Sequence, residues 1–348
     1  DCLLSRGLGD VYKRQLYITS SDKLIIIAIL YTIIPFLINI VYKKYCNTHF
    51  TTSQFHLFWN KILFKKLTSF SIWNFFGSLA NIGATQGINI ILNIFWGVTV
   101  NAAAGIANQL ANAVNQFVTN FQTAFNPQLV KLYASGNKEA FIQFIFQSSK
   151  FSYYLLFIIA LPVMINSEFL LGIWLGNIPQ YTADFCKWIL IFMLIDAISS
   201  SLWMSVQATG NIRNYQILVS LFISMNIPIA YILSYLGFPP ISVWIGKAII
   251  NFIVYIFRIF YLKRVFGLPT WKYIYQVLSI CTLITLLSIP LPLYIQTIFS
   301  GWTGLILTTL CSIVVTVSII LLLGLNKVEK QIAFQAVNKF IHKITPHS

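Results

Sequence analysis

The chain has 348 residues, 57% of them hydrophobic and only 9% charged, with a mean hydropathy of +0.77, which excludes an ordinary water-soluble globular domain. Its net charge of +15 would suit a nucleic-acid binder if it were gathered on one soluble face. The basic residues are instead dispersed between apolar runs, so the pattern points to membrane lipids and topology and to no nucleic-acid partner. The chain is read as an all-α polytopic membrane protein.

Residues 1–15, DCLLSRGLGDVYKRQ, start without Met and look like translated sequencing-adapter sequence, so a non-native segment on a C-terminal fragment is expected. A run of about 20 apolar residues crosses a hydrocarbon core. By that measure about nine transmembrane helices are expected, at 23–43, 68–97, 100–125, 150–173, 184–207, 214–236, 240–262, 273–296 and 301–324. Alternate connections carry the cations: Lys43 to Lys66 after the first span, Lys131, Lys138 and Lys150 after the third, and Arg213 after the fifth. Lys263, Arg264 and Lys272 follow the seventh, and Lys327, Lys330, Lys339 and Lys343 follow the ninth. Lys and Arg accumulate on the cytoplasmic side, so a multi-pass protein of the inner membrane with a cytoplasmic C-terminus is expected. Two segments, Glu139–Lys150 and Lys327–Ile344, are amphipathic and are read as helices lying in the inner leaflet.

The third span, NAAAGIANQLANAVNQFVTNFQTAFNP, is studded with amides along one side. At 100° per residue Asn101, Asn108, Asn112, Asn115 and Thr119 form one stripe, flanked by Gln116, Gln122 and Thr123. An unpaired amide in a hydrocarbon-like medium costs about 2 to 7 kcal/mol, so this stripe faces helices or a wet cavity rather than lipid. Amides running nearly the whole helix exceed what a packing seam needs and favour a water-filled groove. In the second span Gln86, Asn89 and Asn93 fall within a sector of about 60° and fit the same groove.

Charged groups at mid-membrane are costly and mark function. Asp196 lies near the middle of the fifth span and is read as an ion-coupling group or the partner of Lys247. Lys247, Asn251 and Arg258 in the seventh span share one helix face; Arg258 taken alone reads as a snorkelling interface residue, and Lys247 as either a cavity-lining cation or one that pairs with Asp196 or snorkels outward. Gly83 and Pro228 are candidate hinges. Cys2, Cys46, Cys186, Cys281 and Cys311 show no paired spacing and are read as free thiols. The four histidines lack partners at ligand spacing, so neither a metal nor another cofactor is expected.

The block GIANQLANAVNQFVTNFQTAFNPQLVKLYASG, continued by KFSYYLLFIIALPVMINSEFLLGIWLG and by QATGNIRNYQ, resembles the polysaccharide flippases of the multidrug/oligosaccharidyl-lipid/polysaccharide exporter superfamily. The resemblance covers roughly residues 20 to 325. It implies two six-helix lobes, here reduced to the last helix of lobe one with a basic linker (16–66), lobe two (67–265), two additional helices (266–325) and an amphipathic tail (326–348). It further implies flipping of an undecaprenyl-pyrophosphate-linked oligosaccharide for O-antigen or capsular polysaccharide synthesis, by alternating access. Polysaccharide polymerases and glycosyltransferases are the implied partners. In that reading Asn101, Asn108, Asn112, Asn115, Gln116, Gln86, Asn89, Asn93 and Asn251 line a glycan-facing cavity, while Lys247 and Arg258 attract phosphate. The alternatives are a cation-coupled multidrug exporter using Asp196 and a non-catalytic scaffold for polysaccharide assembly. An enzyme such as a polymerase is disfavoured, because the outward connections are about ten residues or fewer and leave no room for a catalytic loop.

Overall fold

The computed structural model describes residues 23–50, 59–326 and 329–331. The segment 1–15 and nearly all of the 326–348 tail, including Val337, Phe340, Ile341 and Ile344, lie outside the described residues. The described residues form helices and no strand. Two compact units divide the chain, 1–64 and 65–348. The first contains α1 (Lys23–His49), an apolar helix with Pro35 inside it and Tyr45 stacked on His49.

The second unit begins within α2 (Lys61–Ala134) and continues through α3 (Lys138–Ile165), α4 (Ser167–Leu175), α5 (Thr182–Ala208), α6 (Arg213–Ser224), α7 (Asn226–Tyr235) and α8 (Ile241–Phe266). It ends with α9 (Thr270–Tyr273), α10 (Ser279–Ser288), α11 (Pro290–Ile298) and α12 (Gly301–Ile319), with π-helical turns at Ile274–Leu278 and Ile320–Gly324. Among the described residues seven helical stretches are long and apolar enough to cross a membrane, which makes this a multi-pass membrane protein.

The expectation of nine spans differs from these seven at two places. Spans two and three both lie in α2, whose 74 residues extend about 111 Å, far beyond the 30 Å or so of a hydrocarbon core. Gly97 breaks that helix at φ 80, ψ 178, a conformation that glycine adopts without a Cβ penalty. The first expected span lies in α1, which is not among the seven.

The breaks inside other spans have local causes. Pro228 has no N–H to offer the carbonyl of Ser224, and the helix divides there, between α6 and α7. Pro290 likewise opens α11 after α10 ends at Ser288. The helix runs unbroken through Gly83, and its break lies at Gly97 instead.

One expectation is corrected outright. Glu139–Lys150 is not a separate helix lying in the leaflet, because α3 runs continuously from Lys138 to Ile165. A hydropathy reading starts that span late because Lys150 carries a charge, yet Lys150 is only 2% exposed and its Nζ lies 2.7 Å from Glu329 Oε2.

Contacts between helices fix their directions. α5 and α8 run parallel: Lys247 lies over the Phe192 ring at 4.7 Å, Asn251 Nδ2 donates to Phe192 O at 3.2 Å, and Arg258 Nη1 donates to Ser199 Oγ. α3 and α12 run antiparallel. Asn166, which caps α3, and Thr308 exchange hydrogen bonds of 2.8 and 3.0 Å at one end, and Tyr154 Oη donates to Gly324 O at 3.1 Å at the other. Gly304, Thr308, Ser312 and Thr316, four residues apart, form the buried edge of α12, and such small residues let two helix backbones approach. The helices of 266–325 therefore pack on α3 within the same unit.

These directions collect the charges at two ends. One end holds Arg213 over the Trp73 ring at 5.3 Å, with Lys131, Lys138, Lys263, Arg264 and Lys272. The opposite end holds Glu168, Asp184 and Lys187, the lysine 3.8 and 3.6 Å from the two carboxylates. Much of the outer surface between them is apolar: Ile94 is 71% and Leu286 69% exposed, as expected for side chains that face lipid.

Candidate functional site

The amide stripe of α2 lies beside the face that packs. Ala103, Ala104, Ala107, Ala111, Val114 and Val118 are the buried residues, and the amides flank them. Asn112 is exposed, while Asn101, Asn108, Asn115 and Gln116 are half-buried. Their hydrogen bonds stay within their own helix: Asn108 Nδ2 donates to Ala104 O at 2.9 Å, and Gln116 Nε2 to Asn120 Oδ1 at 3.0 Å. The side chains of Asn101, Asn112 and Asn115 make no hydrogen bond among the described residues. The stripe is thus not a seam of interhelical hydrogen bonds. Before Gly97, Asn89 donates to Gln86 Oε1 at 3.3 Å, and Gln86 and Asn93 are exposed.

The stripe has an end point. Asn101, Asn108, Asn115 and Gln122 repeat every seven residues, close to two helical turns, so they climb one side of α2. Gln122 lines a cavity of about 300 Å³ in the basic half of the helix cluster. Asn74, Ser78 and Asn81 of α2 face it from the limb before Gly97, Asp196 and Ser200 from α5, Gln216 and Ser220 from α6, and Arg258 from α8.

Each wall is held by identifiable contacts. Gln207 Nε2 donates to Asn74 Oδ1 at 3.0 Å and ties α5 to α2. The Gln216 side chain lies where a Cβ on Gly77 would stand, so only glycine at 77 leaves it that place. Arg258 is 7% exposed, anchored by Nη1 on Ser199, and its buried Nε has no partner. Asp196 lies deep among the helices yet its side chain is open to the cavity, and it makes no ion pair within 4 Å among the described residues.

The expected site residues thus separate. Arg258 and Asp196 meet in the cavity. Lys247 does not line it: its ammonium sits over Phe192 at 4.7 Å and Trp244 at 5.0 Å. Asn251 is spent on the α5 backbone. Asn74, Ser78, Ser200, Gln216 and Ser220 are not among the residues expected from the sequence, since they come from three different helices and only tertiary packing joins them.

Chemically, the cavity offers carboxamides and hydroxyls that both donate and accept and, among the described residues, one guanidinium and one carboxylate. That set suits hydroxyl-rich and phosphate-bearing ligands. No protein-family profile, no curated protein and no solved structure matches the chain.

Proposed function

We propose that this chain is a transport lobe that moves an undecaprenyl-pyrophosphate-linked oligosaccharide across the bacterial inner membrane, with its basic end in the cytoplasm. The observation that carries the reading is the amide ladder Asn101, Asn108, Asn115, Gln122. Over 21 residues it rises about 31 Å, nearly the thickness of the hydrocarbon core. It ends in the cavity that holds Arg258. Amides without partners on neighbouring helices along such a path are costly against lipid and useful against sugar hydroxyls. The guanidinium supplies an always-charged partner for a pyrophosphate. The flippase resemblance of the block from Gly105 to Gly136 adds support, and in the two-lobed arrangement it implies the ladder would face the other lobe. The test is reconstitution of the intact gene product in vesicles with a fluorescent lipid-linked oligosaccharide, following its movement between leaflets. Movement no faster than in protein-free vesicles rejects the proposal.

A cation-coupled exporter is the second reading, and Asp196 favours it as a carboxylate open to the cavity without an ion pair within 4 Å. Efflux of cationic drugs that disappears in Asp196→Asn, with no oligosaccharide movement in the wild type, would select it.

A further inference from the structure

The polar face of the first turns of α3 plays no part in the cavity described above. Glu139, Gln143, Gln147 and Lys150 lie along one side of that helix and line a second cavity, of about 520 Å³, at the basic end. Lys272 and Gln276 line it from the start of the 270–298 stretch, and Glu329 closes it from beyond α12.

This is a built site. Lys150 and Glu329 are 2% and 3% exposed and paired at 2.7 Å. Glu329 Oε2 also accepts from the Asn326 backbone N–H at 2.8 Å, while its Oε1 has no hydrogen bond among the described residues. The depth is informative as well. α3 has 28 residues, about 42 Å, so its first turns extend past a hydrocarbon core of about 30 Å into the head-group layer.

We propose that this cavity binds a phospholipid head group that carries a primary ammonium and a phosphodiester, the phosphoethanolamine class. Charge balance selects it: among the described residues the lining leaves one exposed ammonium, Lys272, and one exposed carboxylate, Glu139, beside the mutually paired Lys150 and Glu329. A purely anionic head group would meet the Glu139 carboxylate, and a neutral sugar would leave Glu139 and Lys272 without use. A quaternary ammonium is excluded by the lining, which has Phe146 and no aromatic cage. The three glutamines donate to phosphate oxygens or accept from the ammonium, and Ile142 and Pro269 offer an apolar wall to the glycerol and acyl chains.

Lipid titration of the purified protein in detergent, read by native mass spectrometry, tests the site. Dioleoyl phosphatidylethanolamine is expected to bind about tenfold tighter than the phosphatidylcholine or phosphatidylglycerol of the same chains, the worth of one charge-assisted hydrogen bond. Glu139 and Lys272 are exposed, so the Glu139→Gln/Lys272→Ala protein is expected to fold normally and lose that preference. Equal binding of the three lipids, a preference retained in the double variant, or no saturable binding overturns the proposal. Soluble phosphoethanolamine binding as tightly as the lipid also overturns it, since the source would then not be the membrane.

Discussion

Arg258 on α8 donates from Nη1 to Ser199 Oγ on α5, and this contact presents the guanidinium to the same cavity that Asp196 lines three residues before Ser199. The pairing puts the one buried cation of the cavity beside its one carboxylate without joining them. Arg258→Met is expected to reduce oligosaccharide movement by about tenfold or more, the worth of a lost charged hydrogen bond. Arg258→Lys is expected to fall between, because an ammonium keeps the charge but not the planar fork. Initial rates in reconstituted vesicles decide; a wild-type rate in Arg258→Met would remove the guanidinium from the site.

Gly77→Ala is expected to displace the Gln216 amide from its place in the cavity. The displaced atoms are the end of a flexible side chain, so the cost in stability is expected to be small, about 1 kcal/mol or less. Transport is expected to fall more than the unfolding temperature. Recovery of transport in Gly77→Ala/Gln216→Ala would show that the clash, and not loss of the amide, is responsible.

The Lys150–Glu329 pair makes a different prediction. Glu329→Ala leaves a buried ammonium without its carboxylate and is expected to cost about 3 to 5 kcal/mol. Replacing both partners, Lys150→Met/Glu329→Leu, removes the uncompensated charge and is expected to restore most of that loss. Thermal unfolding in one detergent compares the three proteins.

Lys247→Met is expected to destabilise modestly, by about 1 to 2 kcal/mol, through loss of the contacts over Phe192 and Trp244. Its transport rate per folded molecule is expected to change little, because Lys247 does not line the cavity. A transport defect at full stability would return Lys247 to the substrate path.

Helical content, the apolar spans and the alternation of basic connections were legible in the sequence, because hydropathy and Lys/Arg counts are local properties. For the fifth and seventh spans the parallel contacts of Phe192 and Ser199 with Lys247 and Arg258 agree with that alternation. The α2 stripe was legible as a stripe, but periodicity cannot say which helix stands opposite. Only packing shows that Gln122, seven residues past Asn115, enters a cavity with Asn74 and Gln216. The start of α3 was misread for a related reason. The charge of Lys150 is cancelled by a residue 179 positions away, which no window along the chain can register.

Ser200 tests the central claim most directly. It lines the cavity on α5 between Asp196 and Trp203, and its hydroxyl bonds only to Ala197 O, so Ser200→Cys is a mild change. In a protein whose native cysteines are replaced by alanine, a membrane-impermeant thiol reagent is expected to label Cys at this position, and added lipid-linked oligosaccharide is expected to slow that labelling. Labelling unchanged by the substrate, or no labelling from either side of the membrane, would contradict a wet, substrate-bearing cavity at Arg258 and Gln122.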